Sequence, residues 1–438
     1  MKLRRLGLLA AATVVSLQVR PASSTTTTLE ANKKPQTEAE TNGDCPAYGC
    51  PLLPQDIYYQ NETKAALQDI RLLKRKDIEK EESSSSSSST TQQALRQLKT
   101  SGGAYQATLT LIGYKGGPLE VQVNQDRSLV VNPYHLTPSS STDVSKLVGV
   151  FDGHANLGEK VSQYVVSTLP KLFQEKLASQ KKEMNTDDIS QLLIDTFVEL
   201  DKTAPAEISG GCTATIILQH EGKIYIANAG DSRSFVCVYR ARSNSTQIIA
   251  ISREDKPELP DERARVEKAG GQVYLPLRGT SRVLYTDPET GMQSGLAMSR
   301  SIGDWEVGKL GVIPDPIVQV LDISEVVENQ LREECEAQAD NDVRAQCLSL
   351  EGAIDDVHIF AVSATDGLMD FAQPETIAQT VAASMYQPEG PHLLTGLEQL
   401  IYMAAQGWEQ AKQGRYRDDI AIAVSELRAP KAVEKQRK

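Results

Sequence analysis

Five acidic positions at the ends of short apolar strings constrain this chain more than any bulk property. LVGVF (147–151) runs into Asp152-Gly153-His154, KIYIANA (223–229) into Gly230 and Asp231, and HIFAVSA (358–364) into Thr365-Asp366-Gly367. Asp418-Asp419 opens IAIAV (420–424), and Asp126 opens RSLVV. The strings, with TATIIL (213–218), are rich in β-branched residues and bounded by turn residues, which predicts buried strands. One Asp-Gly is an ordinary turn dipeptide. Five carboxylates at strand ends predict a sheet mouth lined with negative charge. Such groups repel unless cations neutralise them. Hard oxygen donors with neither cysteine nor clustered histidine select Mg²⁺ or Mn²⁺ over zinc or copper. Glycine after aspartate leaves room for its own carbonyl to join a coordination sphere.

Between the strings, residues 159–177 and 187–203 and the stretch Leu393 to Gln413 carry apolar residues at three- and four-residue steps, the period of helices with one buried face. Strands covered by long helices predict a layered α+β domain, sheets inside and helices outside.

Taken in order, FDGH (151–154), SGGCTAT (209–215), ANAGDSR (227–233), EDKPELPDERARVEKAGGQV (254–273), LAMSRSIGDWEVGKLGVIPDP (296–316), VSATDGLMD (362–370) and RDDIAIAV (417–424) resemble the type 2C metal-dependent protein phosphatase family. An ordered set across residues 104–428 is far more specific than any one motif. The resemblance implies a four-layer αββα sandwich with two central antiparallel sheets. It implies hydrolysis of phosphoserine and phosphothreonine in proteins by a water bridging two divalent ions, Mg²⁺ or Mn²⁺. On it, Asp152 bridges both metals, the Gly153 carbonyl is a ligand of the second, and Asp366 and Asp418 hold the first. Asp126 acts through bound water, Asp231 with Asp366 forms a weaker third site, and His154 is the general acid. Of five histidines, only His154 adjoins one of these aspartates.

The chain departs from the family pattern at informative places. Two glycines usually follow the histidine; here Ala155-Asn156-Leu157-Gly158 does. Asp419 replaces an asparagine, and Asp255 replaces a histidine before Lys-Pro. Many members carry a phosphate-binding arginine shortly before the first aspartate, where only Lys115 is available; lysine binds phosphate as a point charge without arginine's bidentate fork. These changes keep a second reading open, a catalytically weak pseudophosphatase that binds phosphoproteins or regulates partners. A hydrolase for another phosphoester is a third.

The remaining expectations concern the ends of the chain. Residues 1–24, with Lys2, Arg4 and Arg5 before an apolar run and small residues after it, have the layout of a secretory signal or targeting peptide. This places the protein in the secretory pathway or outside the cell, with the cytosol or an organelle as alternatives. Residues 25–103 read as a linker with one short helix at Thr63 to Glu82 and a serine run at 83–89. An acidic, helix-prone insert at about 324–356 reads as a solvated hairpin or a docking element, and 429–438 as a tail. Cys45 and Cys50 could close a small loop, Cys335 and Cys347 sit twelve apart, and Cys212 and Cys237 lie in apolar stretches that suit buried small hydrophobes. Net charge −12 argues against general nucleic-acid or anionic-membrane binding, and no apolar run reaches the roughly 20 residues of a membrane span. Phosphoproteins are the expected partners.

Overall fold

The computed structural model describes residues 45–53, 55–56, 105–117, 121–136, 144–206, 209–287, 291–336 and 356–429. Two six-stranded sheets lie at the centre. The first runs, in spatial order, Pro51–Leu52, Arg127–Tyr134, Ser145–Phe151, Ala214–His220, Lys223–Ala229, Ile317–Asp322; the second runs Ser245–Ile251, Arg233–Arg240, Val357–Ala364, Ile420–Arg428, Gln106–Leu111, Gln55–Asp56. Every pairing is antiparallel except that of Gln55–Asp56 with Gln106–Leu111, a short parallel addition at one edge.

Side-chain alternation along each strand separates three apolar layers. Val148, Val150 and Ile217 from the first sheet meet Val236, Val238, Ile359, Ala361, Ala421 and Ala423 from the second in the central core. Leu147, Phe151, Ile216 and Leu218 face outward against Val161, Val165 and Phe173 of helix Gly158–Ala178 and Leu193 and Phe197 of helix Thr186–Thr203. Phe235, Phe360, Val362, Ile422 and Val424 face the other way, against Val381 of helix Pro374–Tyr386 and Leu397 and Ile401 of helix Leu393–Lys412. The result is the expected αββα arrangement. Strings such as LVGVF are apolar throughout because both faces of a sandwiched sheet are covered.

Toward one end the inter-sheet layer turns polar. Thr215 bonds Ser234 at 2.9 Å, and Ser234 bonds Ser363 at 2.7 Å. Thr108 meets Ser128 at 2.6 Å, and Asn124 donates to Thr110 at 2.9 Å. Small hydroxyls joining the sheets satisfy one another without a buried charge.

Two segments differ from expectation. Within the stretch read as a linker, Pro51–Leu52 adds to the first sheet and Gln55–Asp56 to the second, and Cys45 forms a disulfide with Cys50. The fold therefore draws on chain well before residue 104; the helix candidate at 63–82 and the serine run lie outside the described residues, as do residues 1–24. The start of the acidic insert, helix-prone in sequence, is helix Ile323–Glu336, and it is not wholly solvated: it seats Val327, 5% exposed, in the central core beside Leu331, while residues 337–355 lie outside the described residues. Arg240 Nη1 donates to the Gln330 carbonyl at 2.9 Å, tying the helix to the second sheet. Cys335 is buried and disulfide-bonded. Cys212 and Cys237 are buried thiols, as expected.

A small lobe follows Asp231. Helix Pro260–Lys268 and the three-stranded sheet Gln272–Tyr274, Arg282–Thr286, Gln293–Leu296 share a core of Val266, Val283, Leu296, Met298, Val307 and Val312. Its polar anchor is Glu262, fully buried, which accepts from Arg253 (2.8 Å), Arg300 (2.7 Å), Arg265 (2.5 Å) and Ser299 (2.5 Å). Burial alone would raise the Glu262 pKa; the hydrogen bonds from Arg265, Arg300 and Ser299 and the Arg300 charge overturn that and hold it down at about 2.

Candidate metal centre and active site

Strand register brings the predicted aspartates to the polar end of the sandwich. Arg127 pairs with Phe151, which sets Asp126 beside Asp152. In the second sheet Arg233 pairs with Ala364, and Ala364 with Ile422, so the residues just beyond them, Asp231, Asp366 and the Asp418-Asp419 pair, lie at the same end. Thr365 joins the two sheets there: its Oγ1 donates to Asp126 Oδ2 at 2.8 Å and accepts from the Ala421 amide at 2.9 Å.

Two glycines make the approach possible. A Cβ on Gly153 would come 2.6 Å from the carbonyl oxygens of Gln125 and Gly158, and one on Gly367 would come 1.9 Å from the carbonyl oxygen of Asp419. Aspartate is followed by glycine at both positions because two backbone segments meet there without space for a side chain.

The carboxylates feel each other. Burial first, then the charges of neighbouring aspartates, raises the pKa of Asp126, Asp152 and Asp366 well above the ordinary carboxylate value. Asp126 Oδ1 and Asp231 Oδ1 are buried without a hydrogen-bond partner. Lysines enter among them. Lys115 Nζ lies 3.2 Å from both Asp418 Oδ1 and Asp419 Oδ2 and donates to Gln125 Oε1 at 3.3 Å. Burial pulls this ammonium toward neutrality, but Asp419, Asp418, Asp152 and Asp126 together outweigh it and keep its pKa above the usual lysine value. Lys256 Nζ donates to Asp231 Oδ2 at 2.7 Å. The predicted negative mouth therefore also holds two ammonium groups, and both lysines come from segments outside the strands that carry the aspartates.

Asp419, the residue in place of an asparagine, is 2% exposed and accepts from the Gly113 amide at 2.5 Å and the Gln125 amide at 3.1 Å. Its charge is met by two backbone donors and Lys115, and it fixes the segments that carry Lys115 and Asp126. Asp418 accepts from Tyr416 at 2.8 Å.

His154 is the residue whose surroundings the sequence described least. Its Nε2 donates to Asp304 Oδ2 at 2.6 Å, while its Nδ1 is buried without a partner. Burial would lower the imidazole pKa, and the charge and hydrogen bond of Asp304 reverse this, leaving it raised. Asp304 also accepts from Ser301 Oγ at 2.7 Å and has a left-handed backbone, φ 50°. A Cβ on Gly211 would lie 2.3 Å from Asp304 Oδ2, so the Gly-Gly of SGGCTAT clears the space for this carboxylate. Asp304 stood inside SRSIGDW with no role; its only sequence signal was an aspartate after glycine away from any long apolar strand. Ala155, in the place of a glycine, has φ 60°, a conformation that costs a Cβ-bearing residue about 1–2 kcal/mol. Gln125 Nε2 holds its carbonyl at 2.8 Å.

Among the described residues no three His, Cys, Asp or Glu side chains form a ready-made metal-holding group. The residues fit hard divalent ions by donor type and by the buried, unpartnered oxygens of Asp126 and Asp231.

Comparison with known proteins places these features. The profile of the Protein phosphatase 2C family matches residues 124–394, more than half of the chain. A probable protein phosphatase 2C 61 of Arabidopsis thaliana is 30% identical over 221 residues, covering 49% of this chain and 63% of that protein. Protein phosphatase 1L of Bos taurus is 31% identical over 188 residues, covering 41% of this chain and 47% of its own length. The chain thus spans between about half and three-fifths of the length of these relatives. In fold it resembles the serine-threonine phosphatase 2C of Toxoplasma gondii (TM-score 0.51, 19% identity, 74% of this chain and 94% of the other) and a sex determining protein of C. elegans (TM-score 0.50, 20% identity, 76% and 67%). With the ordered motifs, the two-sheet sandwich and the carboxylate end in agreement, the chain belongs to the protein phosphatase 2C family.

Proposed function

We propose that this protein removes phosphate from phosphoserine and phosphothreonine in proteins, using a pair of Mg²⁺ or Mn²⁺ ions held by Asp152, the Gly153 carbonyl, Asp366 and Asp418, with Asp126 behind them and a weaker third ion at Asp231. The observation that carries the reading is the gathering of these aspartates at one sheet end, where burial first and then neighbouring carboxylate charge raise the pKa of Asp152 and Asp366. Bound there, the ions would supply an activated water and neutralise charge on the phosphoryl group. Asp366 and Asp418 would hold one ion, and Asp152 would be shared between the two. Thr365 keeps Asp126 turned into the cluster. His154, braced through Nε2 by Asp304, has Nδ1 left to deliver a proton to the seryl or threonyl leaving oxygen, a contribution of about 10²–10⁴-fold. Lys115, paired with Asp419, reaches Asp418 as well and would leave the charge of Asp419 offset when Asp418 holds an ion.

Release of phosphate from a phosphothreonine peptide in Mn²⁺, against a phosphotyrosine peptide and a phosphodiester, tests the reading. Hydrolysis undiminished in excess EDTA would reject the metal mechanism, and absent turnover with intact Mn²⁺ binding would leave the pseudophosphatase alternative. We infer further that the protein enters the secretory pathway, on the strength of the leader and of the disulfides at Cys45–Cys50 and Cys335. Asn244, in an exposed sequon, would then carry a glycan. Intact mass from the native source checks both: an unprocessed N-terminus and no glycan would reject it.

A further inference from the structure

We propose that Lys256 is the resident counter-ion of Asp231 and holds that carboxylate's cation position against a divalent ion; the inference rests on the metal-centre reading above. Lys256 Nζ donates to Asp231 Oδ2 at 2.7 Å, with the Asp231 side chain 2% exposed and that of Lys256 21% exposed. The second oxygen, Asp231 Oδ1, is buried with no partner, so one half of the carboxylate is held and the other half is available to a ligand.

The ammonium is placed by a rigid backbone arrangement. Gly230, one residue before Asp231, is clamped to Asp255, one residue before Lys256: the Asp255 amide donates to the Gly230 carbonyl at 3.0 Å, and the Gly230 amide donates to Asp255 Oδ2 at 3.1 Å. Asn228 Nδ2 adds a bond to Asp255 Oδ2 at 3.1 Å, and Asp255 is fully buried. After Lys256, the Leu259 amide returns to its carbonyl at 3.1 Å. Asp231 and Lys256 are therefore held as a unit, which lowers the entropy cost of the ion pair relative to one between free surface side chains.

The pair also faces the rest of the cluster. Asp366 and Glu254 act on Lys256 along with Asp231, and Asp370 feels both Lys256 and Asp231. An ion entering between Asp231 and Asp366 has to displace a tethered charge already present at full local concentration. The third position would then fill only at higher cation concentration than an open carboxylate pair requires, and the cation dependence of this chain would have a weak phase set by Lys256.

The test uses the full chain and Mn²⁺ alone, titrated by calorimetry with free Mn²⁺ counted by electron paramagnetic resonance. Lys256→Met should bind one more Mn²⁺ per chain than wild type, or bind its weakest ion at least tenfold more tightly. Lys256→Arg, which keeps the charge, should titrate like wild type. The gain should vanish in Lys256→Met/Asp231→Asn. Identical titrations of Lys256→Met and wild type would overturn the proposal, as would a gain that survives in the double variant. If circular dichroism shows Lys256→Met unfolded, Lys256→Gln takes its place with the same expected gain, and a Lys256→Gln titration identical to wild type overturns the proposal. Failure of the metal-centre reading has another signature, a wild type that binds no pair of Mn²⁺ ions and an Asp152→Asn variant that titrates the same.

Discussion

Replacing Glu262 by glutamine should destabilise the small lobe by about 3 kcal/mol at neutral pH. The side chain has no exposed surface and stands among Arg253, Arg265 and Arg300. Its pKa falls from 4.5 to about 2, and at about 1.4 kcal/mol per unit this is roughly 3 kcal/mol favouring the ionised, folded state. Removing one partner of a buried ion pair costs about 3–5 kcal/mol by a different route, and the two figures agree. The sign follows from a depressed folded pKa: the contribution is fully present above the unfolded value near 4.5 and is lost as pH falls through about 2. Urea unfolding of wild type and Glu262→Gln at pH 7 and pH 3 should show the full difference at pH 7 and less than half of it at pH 3. A cost below about 1 kcal/mol at pH 7, or one independent of pH, would refute the view that this carboxylate anchors the lobe by charge.

Other substitutions probe the site itself. His154→Ala should lower kcat on phosphoserine peptides by about 10²–10⁴-fold, and much less on aryl phosphates whose leaving group needs no proton; equal losses on both would assign it a structural part. Asp152→Asn should abolish turnover and weaken Mn²⁺ binding together, read by calorimetry beside peptide hydrolysis, whereas an active variant contradicts the bridging role. Gly367→Ala, whose new Cβ would sit 1.9 Å from the Asp419 carbonyl oxygen, should lose at least about 1–3 kcal/mol of stability and shift Mn²⁺ affinity, checked by thermal unfolding with and without the ion. Ala155→Gly should gain about 1 kcal/mol by relieving a positive φ, unless the loop relaxes by another route, in which case the melting temperature stays put.

Much of the architecture was legible because strand and helix periods differ so plainly here. LVGVF, KIYIANA and HIFAVSA each became a strand within a residue or two of expectation, as the sandwich buries both of their faces. The acidic site residues were legible for a related reason: an aspartate immediately after an apolar strand has its position fixed by that strand. What could not be read were partners from irregular segments. Lys256 follows Asp255 in a loop, and only the tertiary clamp between Gly230 and Asp255 places its ammonium on Asp231. Asp304 reaches His154 through a left-handed turn that no periodicity announces. The acidic insert was legible as helix-prone but not as core-facing, because Ile323, Val326, Val327 and Leu331 stand among glutamates that read as a solvated surface.

The short strands at Pro51–Leu52 and Gln55–Asp56 have a consequence for solubility. They pair with Arg127–Tyr134 in one sheet and Gln106–Leu111 in the other, so they cover part of the flank of both sheets at once. Tyr48 packs edge-on to Tyr134 at 6.4 Å, and the His135 amide donates to the Tyr48 carbonyl at 2.8 Å, fastening the Cys45–Cys50 loop over the same flank. A chain shortened to begin at residue 104 would present two neighbouring rows of unpaired backbone donors and acceptors, the template on which sheets join edge to edge. Its first failing would then be self-association of otherwise native molecules, with the carboxylate end of the sandwich left intact.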